Sequence, residues 1–374
     1  MDTNKQLSTR AFGTSLDNGR RKKRDKGGKK RSLASVVKER KDKRGYRNAV
    51  IHPGAGRGRS AAGEKRVTRS VSRARATHRN EISDGAMANV EGIDATEEAM
   101  QNPLAAAHVV KDIYATYRAK ESSLSARPSY MAKQTHINER MRTIVVDWIV
   151  DVHKKFRFVP ETLYLTINLI DRYLSVKEVE RPKFQLFAVS CLLIASKYEE
   201  IYQLPVNDLV YLCAETYTRQ DILDMEWAVL TELEFKIYGP TAHPFLVRFL
   251  RAANADTRTT QLASFLLDGT LQNYQLLQYR PSQLAAAAVM IARRTNWALL
   301  MGKYLPMAVL WTPTLAHYTD YSEEEVMPVA RAILVAWDNR ESSCSAVKKK
   351  YSAKGRLYGG VALVALPSAD VFSS

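Results

Sequence analysis

From Asn102 onward the apolar residues of this chain recur at steps of three and four, punctuated by prolines that sit where helices begin. The strongest run is Ile137, Met141, Ile144, Val145, Trp148, Ile149, Val152 and Phe156, which draws one stripe along a helix. Arg140, Arg142, Thr143, Asp147, Asp151 and Lys154 fall mostly off that stripe. Pro160 opens a second helix through Leu163, Leu165, Ile167, Leu169, Ile170 and Leu174. Pro182 opens a third, from Lys183 to about Tyr198, apolar nearly all round as a central buried helix is. Pro205 begins a short fourth, Val206 to Ala214. Thr218 and Asp221 have the spacing of a capping box for a fifth, through Met225, Val229 and Leu233, and Pro240 ends the series.

A similar series then starts again, with helices expected at Phe245–Leu250, Leu262–Leu271, Pro281–Arg293, around Leu299–Leu315, and at Glu323–Trp337. Arg181-Pro182 with Gln185-Leu186 precedes the third helix of the first series, and Arg280-Pro281 with Gln283-Leu284 precedes the third of the second, a weak internal repeat. An isolated helix from Pro103 to Tyr114 stands in front. No segment alternates with the period of two that a half-buried strand requires. The predicted fold is all-α, with two five-helix domains in tandem, 101–239 (with the leading helix) and 240–362, between a tail at 1–100 and a short one at 363–374.

Charge divides the chain in the same place. Residues 1–90 carry 25 of the 56 Lys and Arg but 8 of the 39 Asp and Glu, so this segment alone accounts for the net +17 and the remainder is neutral. It also holds ten of the 17 glycines and two aromatics, Phe12 and Tyr46, too little apolar surface to offset the entropy of ordering. A disordered basic tail is predicted. Its knots Arg20-Arg21-Lys22-Lys23-Arg24 and Lys29-Lys30-Arg31 read as nuclear import signals, and the alternative is weak, sequence-independent contact with nucleic acid. The neutral body argues against a broad nucleic-acid-binding face. Cys191, Cys213 and Cys344 are too scattered for a disulfide scaffold or a cysteine zinc site, which suits a reducing compartment. No apolar run reaches the roughly 18 residues of a membrane span, and the amino terminus lacks a secretory signal's apolar stretch. The seven histidines form no close ligand pair, and Gly-rich phosphate loops, H-E-x-x-H and G-x-S-x-G are absent. No cofactor, metal or catalytic residue is expected.

Met141-Arg142-Thr143-Ile144-Val145-Val146-Asp147-Trp148 resembles the opening of the cyclin box. Pro160-Glu161-Thr162-Leu163-Tyr164-Leu165, Ile170-Asp171-Arg172-Tyr173-Leu174-Ser175 and Ala195-Ser196-Lys197-Tyr198-Glu199-Glu200-Ile201-Tyr202 follow in that family's order. Ala346-Val347-Lys348-Lys349-Lys350-Tyr351 is similar to the end of the second box of mitotic cyclins. The resemblance spans roughly residues 102–362, and B-type mitotic cyclins are nearest, with A-type beside them. It implies two cyclin-box domains in a regulatory subunit of the G2/M transition, found in nucleus and cytoplasm, which binds and activates a cyclin-dependent kinase and leaves the chemistry to that partner. Alternatives are a transcription-type cyclin, or a nucleic-acid-associated factor with tandem cyclin folds.

The resemblance also assigns residues. Lys197 and Glu226 match the family's kinase-facing charge pair, with Tyr198, Glu200 and Ile113 beside them. Met141, Ile144, Val145, Trp148 and Asp151, with Arg181, Phe184 and Gln185, match a groove that docks Arg-x-Leu peptides of substrates and inhibitors. A Met/Ile/Trp stripe is ordinarily core, and roughly half of this one must be. Phe184 stands for a smaller Leu and Asp151 for a longer Glu. Arg142 and Asp147 match a structural charge pair. Arg10, Leu16 and Asn18 frame a segment similar to a destruction box, although Gly13 stands where Leu is expected. That likeness implies recognition by a ubiquitin ligase of the anaphase-promoting type, with Lys22, Lys23, Lys26, Lys29 and Lys30 as acceptors by proximity.

Overall fold

The computed structural model describes residues 92–94, 106–303, 310–340, 344–352 and 360–372. The basic knots, the destruction-box-like residues Arg10, Leu16 and Asn18 and the acceptor lysines lie outside the described residues.

Among the described residues there are α-helices, short 3-10 turns and no strands. A leading helix α1 (Val110–Glu121) precedes five helices of a first box: α2 (Glu139–Phe156), α3 (Pro160–Leu174), α4 (Phe184–Glu199), α5 (Val206–Leu212) and α6 (Arg219–Glu232). A second box follows: α7 (Ala242–Ala252), α8 (Thr257–Thr270), α9 (Pro281–Met301), α10 (Pro313–Thr319) and α11 (Glu323–Asp338). A short α12 (Ala346–Tyr351) and 3-10 turns at Val361–Leu363 and Ala369–Phe372 complete it.

The third helix of each box is its axis. α4 is buried continuously from Phe184 to Ser196 and packs on α3 and α6. α9 is buried from Ala285 to Ala292 and packs on α7, α8 and α11, its run of alanines letting those helices come close. Local chemistry sets the helix starts. Pro160 and Pro281 occupy first helical turns. Thr218 and Asp221 close a capping box on α6: the Thr218 hydroxyl accepts from the Asp221 amide at 3.1 Å, and the Asp221 carboxylate accepts from the Thr218 amide at 2.7 Å. Trp337 of α11 lies over Gly269 of α8, where any Cβ would run into the indole, and edge-on to Phe265 at 4.5 Å.

Three expectations change. The leading helix starts at Val110 and runs to Glu121, where the sequence placed it from Pro103 to Tyr114. Ala106 takes a left-handed turn first, and the polar second half is held from the other box, since the Ser282 hydroxyl and amide donate to Glu121 at 3.0 and 3.2 Å. The fourth helix of the second box is Pro313–Thr319, while α9 continues through the supposed start at Leu299 and stops at Gly302, which has φ +68°. The segment placed in a carboxy-terminal tail folds back in part. Phe372 is buried, its carbonyl accepts from Arg331 Nη2 at 2.9 Å, and Arg294 lies 5.0 Å over its ring.

Arg142 and Asp147 do not pair. Five positions apart on α2, they point to different sides of the helix, because partners must be three or four apart to face each other. Arg142 instead grips Asp171 of α3 with two bonds, Nε at 2.6 Å and Nη2 at 2.7 Å, and its Nη1 donates to the Leu271 carbonyl of the second box at 3.1 Å. The Tyr130 hydroxyl donates to the same Asp171 at 2.7 Å. Asp147 accepts from Gln272 Nε2 at 2.6 Å and from the Ala346 amide at 2.8 Å. Both residues therefore join the boxes. Burial raises the Asp147 carboxyl above its ordinary value, and Asp151 adds to it, against the Ala346 and Gln272 bonds.

Asp268 is the second junction. Buried on α8, it accepts from Tyr164 Oη of α3 at 2.7 Å, Lys350 Nζ of α12 at 2.7 Å and Tyr351 Oη at 2.9 Å. Burial opposes its charge, but Lys350 and the two hydroxyls outweigh that and hold the carboxyl below the ordinary aspartate range. Its folded-state pKa is thus below its unfolded one. The stability this gives is complete above the unfolded value of about 4 and is lost as pH falls through the folded value. Replacing Asp268→Ala removes a buried ion pair and the acceptor of two tyrosine hydroxyls, and is expected to cost about 3–5 kcal/mol in chemical unfolding at neutral pH. Asp268→Asn is expected to flatten the acid side of the stability–pH curve, which a wild-type slope in that variant would contradict.

Candidate functional site

α4 is buried on every side until Ser196, and there it leaves the core. Its last turn therefore puts Lys197 and Tyr198 in the open. Lys197 Nζ bonds both oxygens of Glu226 on α6, at 2.6 and 2.8 Å. The lysine side chain is 40% exposed and the glutamate 10%, so the pair stands at the surface with its cationic half outward. Glu226 shares the inner face of α6 with Ile222 and Val229, and Trp227, the next residue, is swung out and 64% exposed.

Large apolar side chains on the same two helices and just beyond their ends are exposed as well. Tyr198, Ile201, Tyr202, Trp227 and Phe235 are each more than half exposed. Trp227 meets Phe235 edge-on at 5.7 Å, and Tyr198 stacks on Tyr238 at 6.3 Å. Tyr238 in turn lies 6.0 Å from Tyr117 of α1, the helix on which Ile113 is half-buried. Burial, then the Tyr117 hydrogen bond, raises the Tyr238 phenol above its ordinary value. Large apolar side chains so exposed beside a fixed ion pair are of the kind that protein-interaction surfaces use.

Glu200 is not on that surface. It is buried, and its Oε1 accepts from the Val159 amide at 2.8 Å and the Thr162 hydroxyl at 2.9 Å. Val159 is the N-cap of α3 and has no side chain able to cap, so Glu200 supplies the carboxylate that the helix start needs. Trp227, Phe235, Tyr238, Ile201 and Tyr202 were not assigned from sequence. The available signal was Trp227, an indole off the Ile222–Glu226–Val229 stripe of its helix.

The residues matched to the peptide groove separate into two layers. Val145 and Phe184 are both 0% exposed, and Trp148 and Gln185 are buried as well. Met141, Ile144 and Asp151 are partly open on α2, and Arg181 is exposed in the 3-10 turn before α4. Val145 and Phe184 are thus core, because α2 packs against α4 along that side of its stripe, and only the outer four reach solvent.

Among the described residues no cluster of His, Cys, Asp and Glu could hold a metal ion, and no helix is long and apolar enough to cross a membrane.

Comparison with known proteins agrees with this architecture. The family descriptions "Cyclin, N-terminal domain" and "Cyclin, C-terminal domain" match residues 112–238 and 240–365. The chain is 40% identical to Cyclin-B1-4 of Arabidopsis thaliana over 314 residues, 83% of this chain and 76% of that one. It is 43% identical to Cyclin-B1-3 of Arabidopsis thaliana over 276 residues, 73% of this chain and 63% of the relative. To G2/mitotic-specific cyclin S13-6 of Glycine max it is 44% identical over 262 residues, 70% of this chain and 55% of the relative. A viral cyclin from herpesvirus saimiri shares the fold, with TM-score 0.51 and 20% identity over 67% of this chain and 99% of that one. The chain belongs to the cyclin family, in its B-type branch. It spans between about half and three quarters of the length of these curated relatives.

The two layers of the groove are separable by experiment. Phe184→Ala is expected to cost about 3–5 kcal/mol of unfolding free energy, as a large buried ring does. Ile144→Ala, half-open, is expected to cost about 1 kcal/mol or less. Equal losses in chemical denaturation would place both residues in the core.

Proposed function

We propose that this chain is the non-catalytic regulatory subunit of a cyclin-dependent serine/threonine kinase acting at the G2/M transition, and that the face around Lys197 and Glu226 is what the kinase grips. The observation that carries the reading is the doubly bonded Lys197–Glu226 pair, open on its lysine side, with exposed Tyr198 and Trp227 next to its members in the chain and exposed Phe235 edge-on to Trp227. Free in water, such a pair is worth about 0–1 kcal/mol, too little to explain a residue placed there for stability. Covered by a partner it becomes a fixed charged contact inside an apolar rim, the arrangement of an interface hot spot. Ile113 on α1 extends the same face. Activation then consists of holding the kinase's own helix and activation loop in their working positions.

The outer groove residues Met141, Ile144, Asp151 and Arg181 support a second role, recruitment of substrates and inhibitors carrying Arg-x-Leu. The apolar side chains take the leucine and the Asp151 carboxylate takes the arginine. The amino-terminal tail supplies turnover, through Arg10, Leu16 and Asn18 and an anaphase-promoting ubiquitin ligase, and its basic knots supply nuclear entry from the cytoplasm.

Exchanging the charges, Lys197→Glu with Glu226→Lys, preserves an ion pair within the chain and reverses what a partner meets. The double variant is expected to melt within a few degrees of wild type, and to lose about tenfold or more of its kinase affinity along with histone-type kinase activity in the complex. An equally active complex would overturn the reading. For the tail, Arg10→Ala with Leu16→Ala is expected to lengthen the half-life in late mitosis, and an unchanged half-life would remove this segment as the degradation signal.

A further inference from the structure

Ile93 and Asp94 are buried against the second box, which Asp94 meets 154 positions along the chain. Asp94 meets Arg248 of α7 as a two-pronged fork, Oδ1 accepting from Nη1 at 3.0 Å and Oδ2 from Nη2 at 2.9 Å. Both side chains are 8% exposed. The Arg248 guanidinium lies between two rings, 4.5 Å from the centre of Tyr114 on α1 and 5.0 Å from that of Tyr318 on α10. The Tyr318 hydroxyl accepts from the Ile93 amide at 3.1 Å, and Ile93 itself is buried in the core. The Tyr114 hydroxyl donates to the Pro244 carbonyl at 2.8 Å, and burial raises that phenol to about 12, with Arg248 pulling the other way.

Apart from Arg248, α1 is held at Phe245 of α7, which Tyr114 and Tyr117 meet edge-on at 6.0 and 6.2 Å and over whose ring Arg118 lies at 5.7 Å. The single buried residue of α1 is Glu121, at the carboxy-terminal end, where Arg118 and Glu121 reach Ser282. Its amino-terminal half is anchored by Tyr114, which meets both Phe245 and the arginine that Asp94 neutralises. A 12-residue helix is marginal without tertiary support. From Tyr114 the rings run on, at 5.4 Å to Tyr117, 6.0 Å to Tyr238 and 6.3 Å to Tyr198 on the partner face.

We propose that Ile93 and Asp94 form a strap that positions α1: by holding Arg248 between Tyr114 and Tyr318 they fix the helix that carries Ile113 to the kinase, so residues remote from the partner face set how well it binds. Asp94 and Ile93 are positioning residues and touch no partner. The effect on affinity rests on the kinase reading above; the effect on α1 does not.

The full chain carrying Asp94→Asn, a change of charge at nearly constant volume, tests this. Amide hydrogen exchange is expected to speed about tenfold in α1 while α3 and α9 keep their protection. Affinity for a purified cyclin-dependent kinase is expected to fall several-fold to about tenfold. Tyr318→Phe, which keeps the ring over Arg248 and drops only the Ile93 contact, is expected to act in the same direction to a smaller extent. With Arg248→Met in place, Asp94→Asn is expected to add nothing. Unchanged exchange in α1, or exchange speeded equally in α1, α3 and α9, would overturn the strap. Faster exchange in α1 with undiminished affinity, in a chain whose Lys197–Glu226 exchange abolishes binding, would overturn its link to the partner. If that charge exchange also leaves binding intact, the kinase reading has failed and the α1 exchange decides the strap alone.

Discussion

The fold depends on a buried ionic seam between the two boxes. Arg142 and Asp171 are both buried, and the guanidinium bonds the carboxylate through Nε and Nη2 while spending Nη1 on a carbonyl of the second box. Asp268 closes the seam from the other side with Lys350, Tyr164 and Tyr351. Charges in such places lower stability unless every hydrogen-bonding group is used, and here the bonds come from elements of both boxes. The seam therefore fixes one relative arrangement of the boxes where apolar packing alone would tolerate several. Everything that reads the relation between them inherits that rigidity, including α1, which lies against both.

Rigidity at the seam allows exposure at the edge. α4 spends its length in the core and surfaces only at its last turn, so Lys197 and Tyr198 are delivered to a fixed place. Glu226 then pins the lysine head, which removes the rotamer freedom that a long side chain would surrender on binding. Tyr198, Trp227, Phe235 and Tyr238 are restrained by one another through ring contacts before any partner arrives. A surface prepared in this way suits the proposed task of imposing a conformation on a kinase.

The helical frame was legible in the sequence because its signals are local. Prolines at first turns, the Thr218–Asp221 box and the apolar stripe of α2 depend on residues a few positions apart, and the helices formed nearly where they predict. What was not legible depends on distant partners. Asp268 lies 104 residues from Tyr164 and 82 from Lys350, and no local pattern joins them. Glu200 follows Lys197 by three positions in one motif, yet it turns inward because α3 has no cap of its own, a fact about another helix. Ile144 and Val145 are neighbours on one stripe, and the packing of α4 against α2 decides which of them meets solvent. α1 extends past its sequence-predicted end because Ser282, 161 positions away, donates its amide and hydroxyl to Glu121 at the polar terminus.

The most direct test of the central claim is the hydrogen-exchange footprint of a purified cyclin-dependent kinase on this chain. New protection is expected in α1, in the Lys197–Tyr202 segment and from Glu226 to Phe235, together with a rise in the kinase's phosphorylation of a histone-type substrate. Protection confined to the second box, or none at those three segments in a complex that is nonetheless active, would contradict it.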